Sequence, residues 1–500
     1  MNLNTLTSEL KQVLDSILSI CNSCALPEII EYCLLWQSEL ESPLKIAIVG
    51  ITSSGKSTLL NALTKRNIVP TGAETLTYNV NVLRHVSKSP VGEECIIVHM
   101  KNGDDKQMSI SELSKLVDGR MTETEFLRRQ IDWVEAFVDY DYLREVDLID
   151  TPGLLSLKDD DSKNTISLFD DEERRPDVFI YLMQRTVHAK DVDAVRSFQS
   201  TLGSTSKING LNTVAAITHC DYFCKGDYTI DFHAKAKSLI EDNRERYVGF
   251  RSCFSKTFTL AAIYAQAAYS IEKEDFAIIL SLKESLYDEI IDDIYTKNDF
   301  IENDEIFGKL INKKSDRHEF VSRLDMSAIK YSVWWLRHNP EATFEDLRHR
   351  LIEISGVPKL DEYIFTDFKR LAIFFKSMKL VTNLRKYVER CLASYHDPSR
   401  ISSFEKILIL CRNLEVRLLS HFSFLSVLID YYNGDTYFSK DEWEIALDTI
   451  DECLNDSPDE ARLNEKKAFF LRRKRYYSML SDIEAIEACE KLINQIQLTI

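Results

Sequence analysis

The sequence predicts an α/β domain with a mostly parallel sheet, combined with an all-α bundle built from the N- and C-terminal segments. Three observations lead to this prediction. From residue 45 onwards, short apolar runs alternate with helical stretches, as in parallel sheets whose strands are joined by helices. A glycine-rich loop separates the first run from a helical stretch. After about residue 369, almost every segment has helical spacing.

The composition restricts the class of protein. The chain has 500 residues and 44% of them are apolar, so it can bury sizeable cores in two or three domains. Its net charge of −18 argues against bulk nucleic-acid binding. No signal peptide and no apolar run of about 18 residues is visible, so we expect no transmembrane helix. Eleven scattered cysteines fit a reduced, cytoplasmic protein. Cys21 and Cys24 form an isolated CxxC without an evident fourth ligand, and a metal site there is the weaker alternative.

The elements follow in order along the chain. Apolar spacing predicts an amphipathic helix over residues 3–24, and a second short helix follows Pro27 and runs to about Trp36. Residues 270–350 are polar, acidic and largely helical, with KNDFIENDE as a loop, and form an insertion or the outer part of the α/β domain. We expect strands in the runs KIAIVG, NVNVLRHV, ECIIVHM, VDLID, DVFIYLM, NTVAAIT and FTLAA.

The C-terminal region reads as helices separated by breaks near HDPSR, NGD and NDSPDE. Trp443 and Tyr477 suggest a faint tetratricopeptide-like repeat within 427–497, although a plain helical hairpin explains the pattern better. The predicted domains are N-terminal helices over 1–44, an α/β domain over 45–368 with its insertion at about 270–350, and a helical bundle over 369–500.

The strongest chemical signal is GITSSGKST, which matches G-x-x-x-x-G-K-[ST] between a strand and a helix. Such a loop wraps a phosphate with backbone N–H groups at a helix N-terminus. Lys56 would reach the β- and γ-phosphates, and Ser57 would ligate Mg²⁺. The predicted nucleotide-binding residues of this loop are Gly50, Thr52, Ser53, Ser54, Gly55, Lys56, Ser57 and Thr58.

A second signal is DLIDTPGL, residues 147–154, in which an apolar strand ends at an aspartate about 95 residues after the glycine-rich loop. Asp150 can hold the magnesium ion through water. Gly153 can offer its N–H to the γ-phosphate and move when that phosphate leaves.

A third signal is Thr218-His219-Cys220-Asp221, which follows the strand NTVAAI. The Asp221 carboxylate can accept two N–H donors from guanine, whereas adenine presents an acceptor at the same edge. His219 stands where a lysine usually covers the purine, and its ring can stack there instead. We therefore expect guanine rather than adenine, and an ATPase is the alternative if His219 has changed the base preference.

With these three motifs in this order, the sequence resembles the dynamin superfamily of large GTPases, in particular bacterial dynamin-like proteins. TSSGKST resembles the family's P-loop, and VPTGAETLTYNV resembles its first switch. YLMQRTVHAKDVDAVRSF resembles the region before the base motif, and ISGVPKLDEYIFTDFKRLAIFF the passage into the helical stalk. The resemblance covers about residues 45–375. It implies an α/β P-loop GTPase domain with a helical neck or stalk.

The resemblance implies further roles, residue by residue. Ser53 would compensate charge near the β–γ bridge, often with a monovalent cation, K⁺ or Na⁺. Thr77 would close over Mg²⁺ and help to place the attacking water. The catalytic set is then Ser53, Lys56, Thr77 and Gly153. Family members dimerise through their GTPase domains, and either Asp191 or Asp193 stands at the place of that contact.

Three positions depart from the family pattern. Thr52 replaces a glutamine that orients water, which puts dimer-stimulated turnover in question. His219 replaces the lysine of the base motif, which puts affinity in question. Ala261 stands where a serine usually precedes alanine in the loop behind the base.

The resulting expectation is a GTPase that hydrolyses GTP with Mg²⁺ and is stimulated by dimerisation, for membrane remodelling or association. The alternative is a GTP-gated interaction module whose helical C-terminal region docks a protein partner. Two stretches could contact lipid at the inner face of the membrane, HFSFLSVLIDYY (421–432) and KKAFFLRRKRYY (466–477). Bundle core and a solvated helix face explain them better.

Overall fold

A computed structural model of the chain contains an α/β domain and a helical bundle. It describes residues 3–24, 26–50, 53–66, 68, 80–109, 131–151, 176–184, 195–196, 207–246, 253–287, 290, 296–394, 397–421, 423–432, 435–455 and 457–500.

One sheet contains the strands of the described ranges. These are β1 (Leu44–Gly50), β2 (Val80–His85), β3 (Cys95–Met100), β4 (Asp105–Met108), β5 (Ile131–Val138), β6 (Val146–Asp150), β7 (Val178–Gln184), β8 (Thr213–Thr218) and β9 (Thr257–Thr259). Their spatial order is β4-β3-β5-β2-β6-β1-β7-β8-β9. Parallel pairings join β1 to β6 and β7, β7 to β8, β8 to β9, and β2 to β5. The predicted mostly parallel sheet is confirmed, and its far edge is antiparallel through β3 and β4.

Two of these strands are absent from the sequence prediction. β5 carries charged residues within its apolar run, and the Glu135 side chain is buried in an ion pair with Arg84 of β2. β4 is short and mostly exposed, so it has no apolar run to mark it. Both strands lie on the antiparallel side, away from the glycine-rich loop.

The helices surround the sheet and continue into the bundle. They are α1 (Leu3–Cys24), α2 (Pro27–Glu41), α3 (Lys56–Thr64), α4 (Phe232–Arg246), α5 (Ala262–Ser270), α6 (Lys273–Ser285), α7 (Lys297–Glu302), α8 (Lys314–Leu324), α9 (Met326–His338), α10 (Phe344–Ile354), α11 (Val357–Tyr363), α12 (Ala372–Ser394), α13 (Pro398–His421), α14 (Ser426–Tyr432), α15 (Lys440–Leu454), α16 (Glu460–Leu480) and α17 (Ile483–Thr499). None of the described helices is long and apolar enough to cross a bilayer.

Two local predictions about helices were wrong. The stretch KNDFIENDE begins with α7, because Thr296 and Asp299 cap each other reciprocally. The second helix continues past Trp36 to Glu41, which lets it bury Leu40. The predicted break near HDPSR is confirmed, because α12 ends at Ser394 and α13 begins at Pro398, a residue well suited to the first turn of a helix.

The sheet has a different core on each face, because successive side chains of a strand point to opposite faces. Ile46 and Ile48 of β1 belong to a core that continues through α1, α2, α3 and the C-terminal helices. Ala47 and Val49 belong to a second core with α4, α5, α6, α8, α9 and α10. The helices of residues 270–350 therefore cover the face opposite to the bundle.

A sharp break leads from the α/β domain towards the bundle. Gly356 has φ +74°, and a Cβ added there would lie 2.3 Å from the carbonyl oxygen of Thr259. Only glycine combines that conformation with that close approach. After α11, residues Ile364–Phe368 form a π-helical turn that leads towards α12.

In the bundle, the N-terminal helices pack against the C-terminal helices. Leu6, Leu10 and Leu14 of α1 belong to the same buried core as Cys411 and Leu414 of α13. Cys21 and Cys24 are free thiols, and no group of three or more His, Cys, Asp or Glu in the described ranges could hold a metal ion.

Candidate nucleotide-binding site

The glycine-rich loop connects the end of β1 to the start of α3. Gly55 is the residue before α3 and has φ +87°, a left-handed conformation that glycine adopts without strain. A Cβ added at Gly50 would lie 2.6 Å from the Ser54 hydroxyl and 2.9 Å from the Leu182 carbonyl oxygen. Gly55 is thus required by its backbone conformation, and Gly50 by the lack of space for a side chain.

Lys56 lies at the first position of α3 and is buried. Its Nζ donates a hydrogen bond of 3.2 Å to the carbonyl oxygen of Gly50, across the loop. The first turn of α3 contains no acidic residue. Free N–H groups at a helix N-terminus and a lysine folded over the loop favour an anion in this position.

Asp150 ends β6, which pairs with β1 in register with Ile48. Its carboxylate is 8% exposed, and Oδ1 accepts no hydrogen bond from the described residues. Burial raises the pKa of Asp150 to about 6, although the positive charge of Lys56 lowers it. A buried carboxylate oxygen without a partner among the described residues, within reach of the Lys56 charge, fits a hard cation such as Mg²⁺.

The base motif begins where β8 ends. The Thr218 hydroxyl donates to the carbonyl oxygen of Met183, 3.1 Å away, which fixes the end of β8 against β7. His219 has φ +55°, and its Nε2 lies 3.2 Å from the carbonyl oxygen of Ser53. The imidazole thus joins the base motif to the glycine-rich loop.

Asp221 follows in a short 3₁₀ turn, and its carboxylate is 5% exposed. Oδ2 accepts a hydrogen bond of 2.7 Å from the hydroxyl of Ser327, whereas Oδ1 has no described partner. Burial raises the pKa of Asp221, and the Ser327 hydrogen bond and the charge of His219 oppose this effect. A buried acceptor without a partner is costly unless a ligand supplies donors.

A cavity of about 320 Å³ lies between the two motifs and the outer helices. One side is formed by the glycine-rich loop and the base motif. The opposite side is formed by α5, by α7, and by the junction of α8 and α9. Its lining residues are Gly55, Thr58, Thr218, His219, Asp221, Tyr222, Ala262, Ile263, Gln266, Lys297, Val321, Ser322, Arg323 and Asp325.

The structure brings together five of the predicted residues around this cavity, namely Gly55, Thr58, Thr218, His219 and Asp221. Ser53 and Ser54 lie in the loop, and Ser54 is fully buried. Lys56, Ser57 and Asp150 lie at the ends of α3 and β6. Thr52, Thr77, Gly153, Asp191 and Asp193 fall outside the described residues.

Sequence reasoning missed the outer wall of the cavity. Gln266, Lys297, Arg323 and Asp325 belong to helices that carry no nucleotide-binding motif. Asp325 has φ +66°, a strained conformation for a non-glycine residue, and it caps α9 by accepting from the N–H of Ser327. No local pattern in the sequence marks these residues as part of a site.

Comparison with known proteins tests the resemblance to a family. Residues 46–214 match the sequence profile described as the dynamin family. Over these residues the chain is similar to the dynamin superfamily. This match covers the glycine-rich loop, Asp150 and the strands up to the start of β8, so the predicted superfamily is confirmed.

Two bacterial relatives illustrate the extent of the similarity. The isoniazid-induced protein IniC of Mycobacterium tuberculosis is 29% identical over 184 residues, which are 36% of this chain and 35% of that protein. Dynamin-like protein 2 of Campylobacter jejuni is 27% identical over 168 residues, 33% of this chain and 25% of that protein. The aligned region is thus about a third or less of each relative's length.

Solved structures also align with the chain. One is described as an oligomerised bacterial dynamin pair that provides a mechanism for sensing and tethering membranes; it covers 99% of this chain and 73% of its own, with a TM-score of 0.32 and 16% identity. Another is Toc33 from Arabidopsis thaliana, which covers 48% of this chain and 79% of its own, with a TM-score of 0.25 and 14% identity.

Proposed function

We propose that this chain is a GTPase of the dynamin superfamily, which binds GTP and hydrolyses it to GDP and phosphate with Mg²⁺. The observation that carries the proposal is the buried Asp221 carboxylate facing a cavity that Gly55 of the phosphate-binding loop also lines. The phosphate-binding loop and the base motif thus line one cavity, as the binding of a single nucleotide requires. The match to the dynamin family supports the same substrate.

Guanine fits the base side better than adenine. Asp221 offers one oxygen without a described partner and a second that accepts from Ser327 and has lone-pair capacity left. Guanine presents two adjacent N–H donors to such a carboxylate, whereas adenine would set an acceptor against it. His219 supplies a ring beside the cavity on which a purine can stack.

Ser57 would ligate Mg²⁺ and the buried Asp150 carboxylate would hold it through water, with Thr77 as the further ligand that the family resemblance implies. When bound, the ion neutralises charge on the phosphate oxygens. Lys56 and the backbone N–H groups at the start of α3 hold the phosphates. Ser53, with K⁺ or Na⁺ as a further candidate, compensates charge near the bridge. The Gly153 N–H would position the γ-phosphate, and the Thr77 backbone the water.

GTP turnover per molecule, measured against protein concentration with ATP as the control substrate, tests this proposal. We expect hydrolysis of GTP only, with specific activity that rises with concentration as GTPase domains pair. Lys56→Ala should abolish the activity, and Lys106→Ala, an exposed lysine on β4, should leave it unchanged. ATP turnover would contradict the base assignment. A flat, near-zero rate despite tight GTP binding would instead support the GTP-gated interaction module.

The domain arrangement proposed from the sequence agrees with this activity. Residues 45–368 would form the GTPase domain, with 270–350 as its outer helical part. Residues 1–44 and 369–500 would form the neck or stalk. Dimerisation through the GTPase domain would involve Asp191 or Asp193, and sedimentation with and without a non-hydrolysable GTP analogue tests it.

Membrane association is a second proposal, and the tip of the α16–α17 hairpin favours it. Met479, Leu480 and Ile483 are 84%, 58% and 68% exposed at this tip. Arg475 and Arg472, both exposed, lie about one and two turns before it on α16 and have no ion-pair partner among the described residues. Exposed apolar groups beside unpaired basic charge are typical of surfaces that bind anionic lipid.

The other candidate stretch has a different role. Phe424, Leu425, Val427, Leu428 and Ile429 are buried in the bundle core, so residues 421–432 supply packing. Within residues 466–477, Phe470 and Tyr477 are likewise buried. The lipid-facing surface is therefore the tip and the exposed side of α16.

Liposome co-sedimentation tests the membrane proposal. We expect the chain to sediment with phosphatidylglycerol vesicles and not with phosphatidylcholine vesicles. The double variant Met479→Asp/Ile483→Asp should abolish this, and Val416→Asp should not, since Val416 is 65% exposed on a different helix of the bundle. Equal sedimentation of the tip variant and the parent chain would rule out the tip as the contact.

A further inference from the structure

The outer helices contribute a direct contact to the base-reading carboxylate. The hydroxyl of Ser327 donates a hydrogen bond of 2.7 Å to Oδ2 of Asp221, which lies 106 positions earlier in the chain. Ser327 belongs to the first turn of α9, within the polar helical segment that the sequence assigns to an insertion. The contact therefore joins the base motif to the part of the α/β domain that carries no motif.

The position of Ser327 is fixed by the cap of its helix. Asp325 accepts a hydrogen bond of 2.9 Å from the Ser327 N–H and lines the same cavity as Asp221. Asp325 holds a left-handed φ of +66°, a conformation that persists only where the surrounding structure determines it. The serine thus belongs to a rigid turn beside the carboxylate.

In the loop between β9 and α5, position 261 holds an alanine, where the family pattern usually has a serine. Ala261, between β9 and α5, is fully buried and has a side chain that cannot form hydrogen bonds. The neighbouring Cys220 thiol donates to the carbonyl oxygen of Ile217, so it is directed away from Asp221. Ser327 therefore provides from α9 a hydroxyl that Ala261 cannot provide.

We propose that Ser327 is a positioning residue that orients the Asp221 carboxylate for guanine, so that the outer helices complete the base site. This inference rests on the proposed function. Because Oδ2 is held by the serine, Oδ1 is fixed in the buried position where it has no described partner. The two adjacent N–H donors of guanine then meet a carboxylate whose rotation is already restricted.

Loss of the hydroxyl should affect a two-donor base more than a one-donor base. Guanine uses both carboxylate oxygens, whereas hypoxanthine lacks the exocyclic amine and uses one N–H donor. A freely rotating carboxylate can still satisfy one donor. The ratio of GDP affinity to IDP affinity therefore reports the orientation of Asp221, and a general loss of folding would lower both affinities equally.

Calorimetric titration of GDP and IDP into the full chain tests the inference. We expect Ser327→Ala to weaken GDP binding about tenfold and IDP binding by about threefold or less. Ser332→Ala is the matched control, because Ser332 is a buried serine of the same helix whose hydroxyl donates to the Ala328 carbonyl oxygen. It should leave both affinities unchanged. Equal losses for GDP and IDP, or a Ser327→Ala effect no larger than that of Ser332→Ala, would overturn the inference.

A double-mutant cycle supplies the second measurement. In an Asp221→Ala background the serine has no carboxylate to orient, so Ser327→Ala should cost no further GDP affinity. A further tenfold loss there would assign the serine to general packing and overturn the inference. If the unmodified chain binds no guanine nucleotide, the proposed function itself fails. If it binds GDP and Ser327→Ala binds equally well, only the positioning role fails.

Discussion

Lys379 of α12 and Asp177, the residue that precedes β7, form an ion pair that is buried on both sides. The second oxygen of Asp177 accepts from the backbone N–H of Lys45 at 3.0 Å, and the Lys45 ammonium donates to both oxygens of Glu39 at 2.8 Å. Burial acts to raise the pKa of Asp177, but the charges of Lys379, Lys376 and Lys45 hold it below its ordinary value. The sheet, α2 and α12 are thus joined by one buried cluster of charges.

Breaking this cluster should destabilise the whole chain. Lys379→Met leaves the Asp177 carboxylate buried without its nearest cation, so we expect a loss of about 3 kcal/mol in the free energy of unfolding. Lys369→Met is the control, because Lys369 pairs with Glu145 in an ion pair about half exposed on both sides, where the cost should stay below ~1 kcal/mol. Urea denaturation measures both. Equal costs for the two variants would mean that the buried pair does not hold the domains together.

The break at Gly356 should tolerate no side chain. Gly356→Ala combines a left-handed φ with a Cβ placed 2.3 Å from a backbone oxygen, so the turn before α11 must shift. We expect a loss of at least about 3 kcal/mol in unfolding free energy. Gly103→Ala separates backbone strain from steric contact, because Gly103 has φ +87° and an added Cβ would have nothing within 4 Å. Backbone strain alone should lower the unfolding free energy by ~1 kcal/mol. A thermal unfolding comparison in which both variants lose the same stability would contradict the steric argument.

The sequence predicted the parts of the fold that have a local signature. Seven of the nine described strands follow apolar runs, and the structure places them in one mostly parallel sheet. β5 was missed because Asp132 and Glu135 interrupt its apolar run, and the ion pair that makes Glu135 tolerable comes from β2. Such compensation depends on sheet order, which a local pattern does not contain.

The base site also depends on a contact that a local sequence pattern does not contain. Thr218, His219 and Asp221 are adjacent in sequence and follow a strand, so their motif is visible. Ser327 reaches Asp221 from the helices that cover the sheet face opposite to the bundle, and nothing around it in the sequence resembles a nucleotide-binding motif. The missed helix α7 is different. Its Thr296 and Asp299 form a capping box that the sequence does contain, three residues apart.

His219 should contribute stacking without selecting between bases. Its Nε2 lies 3.2 Å from the Ser53 carbonyl oxygen, which holds the ring between the base motif and the glycine-rich loop. We expect His219→Ala to weaken GDP and ADP binding by the same factor, about five- to tenfold, because every purine has a face to stack. His219→Lys should retain GDP binding, since the lysine stem can cover the same face. Fluorescence titration with labelled nucleotides measures these affinities, and a loss confined to GDP would assign base selection to the imidazole.

Guanine recognition should weaken as the pH falls. Burial raises the pKa of Asp221, and the nearby Asp325 carboxylate acts in the same direction, while the Ser327 hydrogen bond and His219 oppose them. Because the pKa in the folded protein lies above the ordinary value, Asp221 takes up a proton at a pH where exposed aspartates are still ionised. A protonated carboxyl cannot accept both N–H donors of guanine. Guanine selectivity is therefore complete above the raised pKa and is lost as the pH falls through it.

The ratio of GDP to IDP affinity isolates this effect, because both nucleotides carry the same phosphates and those titrate identically. We expect the ratio to decrease when binding is measured by calorimetry from about pH 8 to about pH 5, and to stay near one throughout in Asp221→Ala. Ser327→Ala removes a hydrogen bond that stabilises the ionised carboxylate, so its decrease should begin at a higher pH than in the unmodified chain. A ratio that stays constant across this range in the unmodified chain would show that Asp221 remains ionised when buried, and a ratio that changes equally in Asp221→Ala would assign the titration to another group.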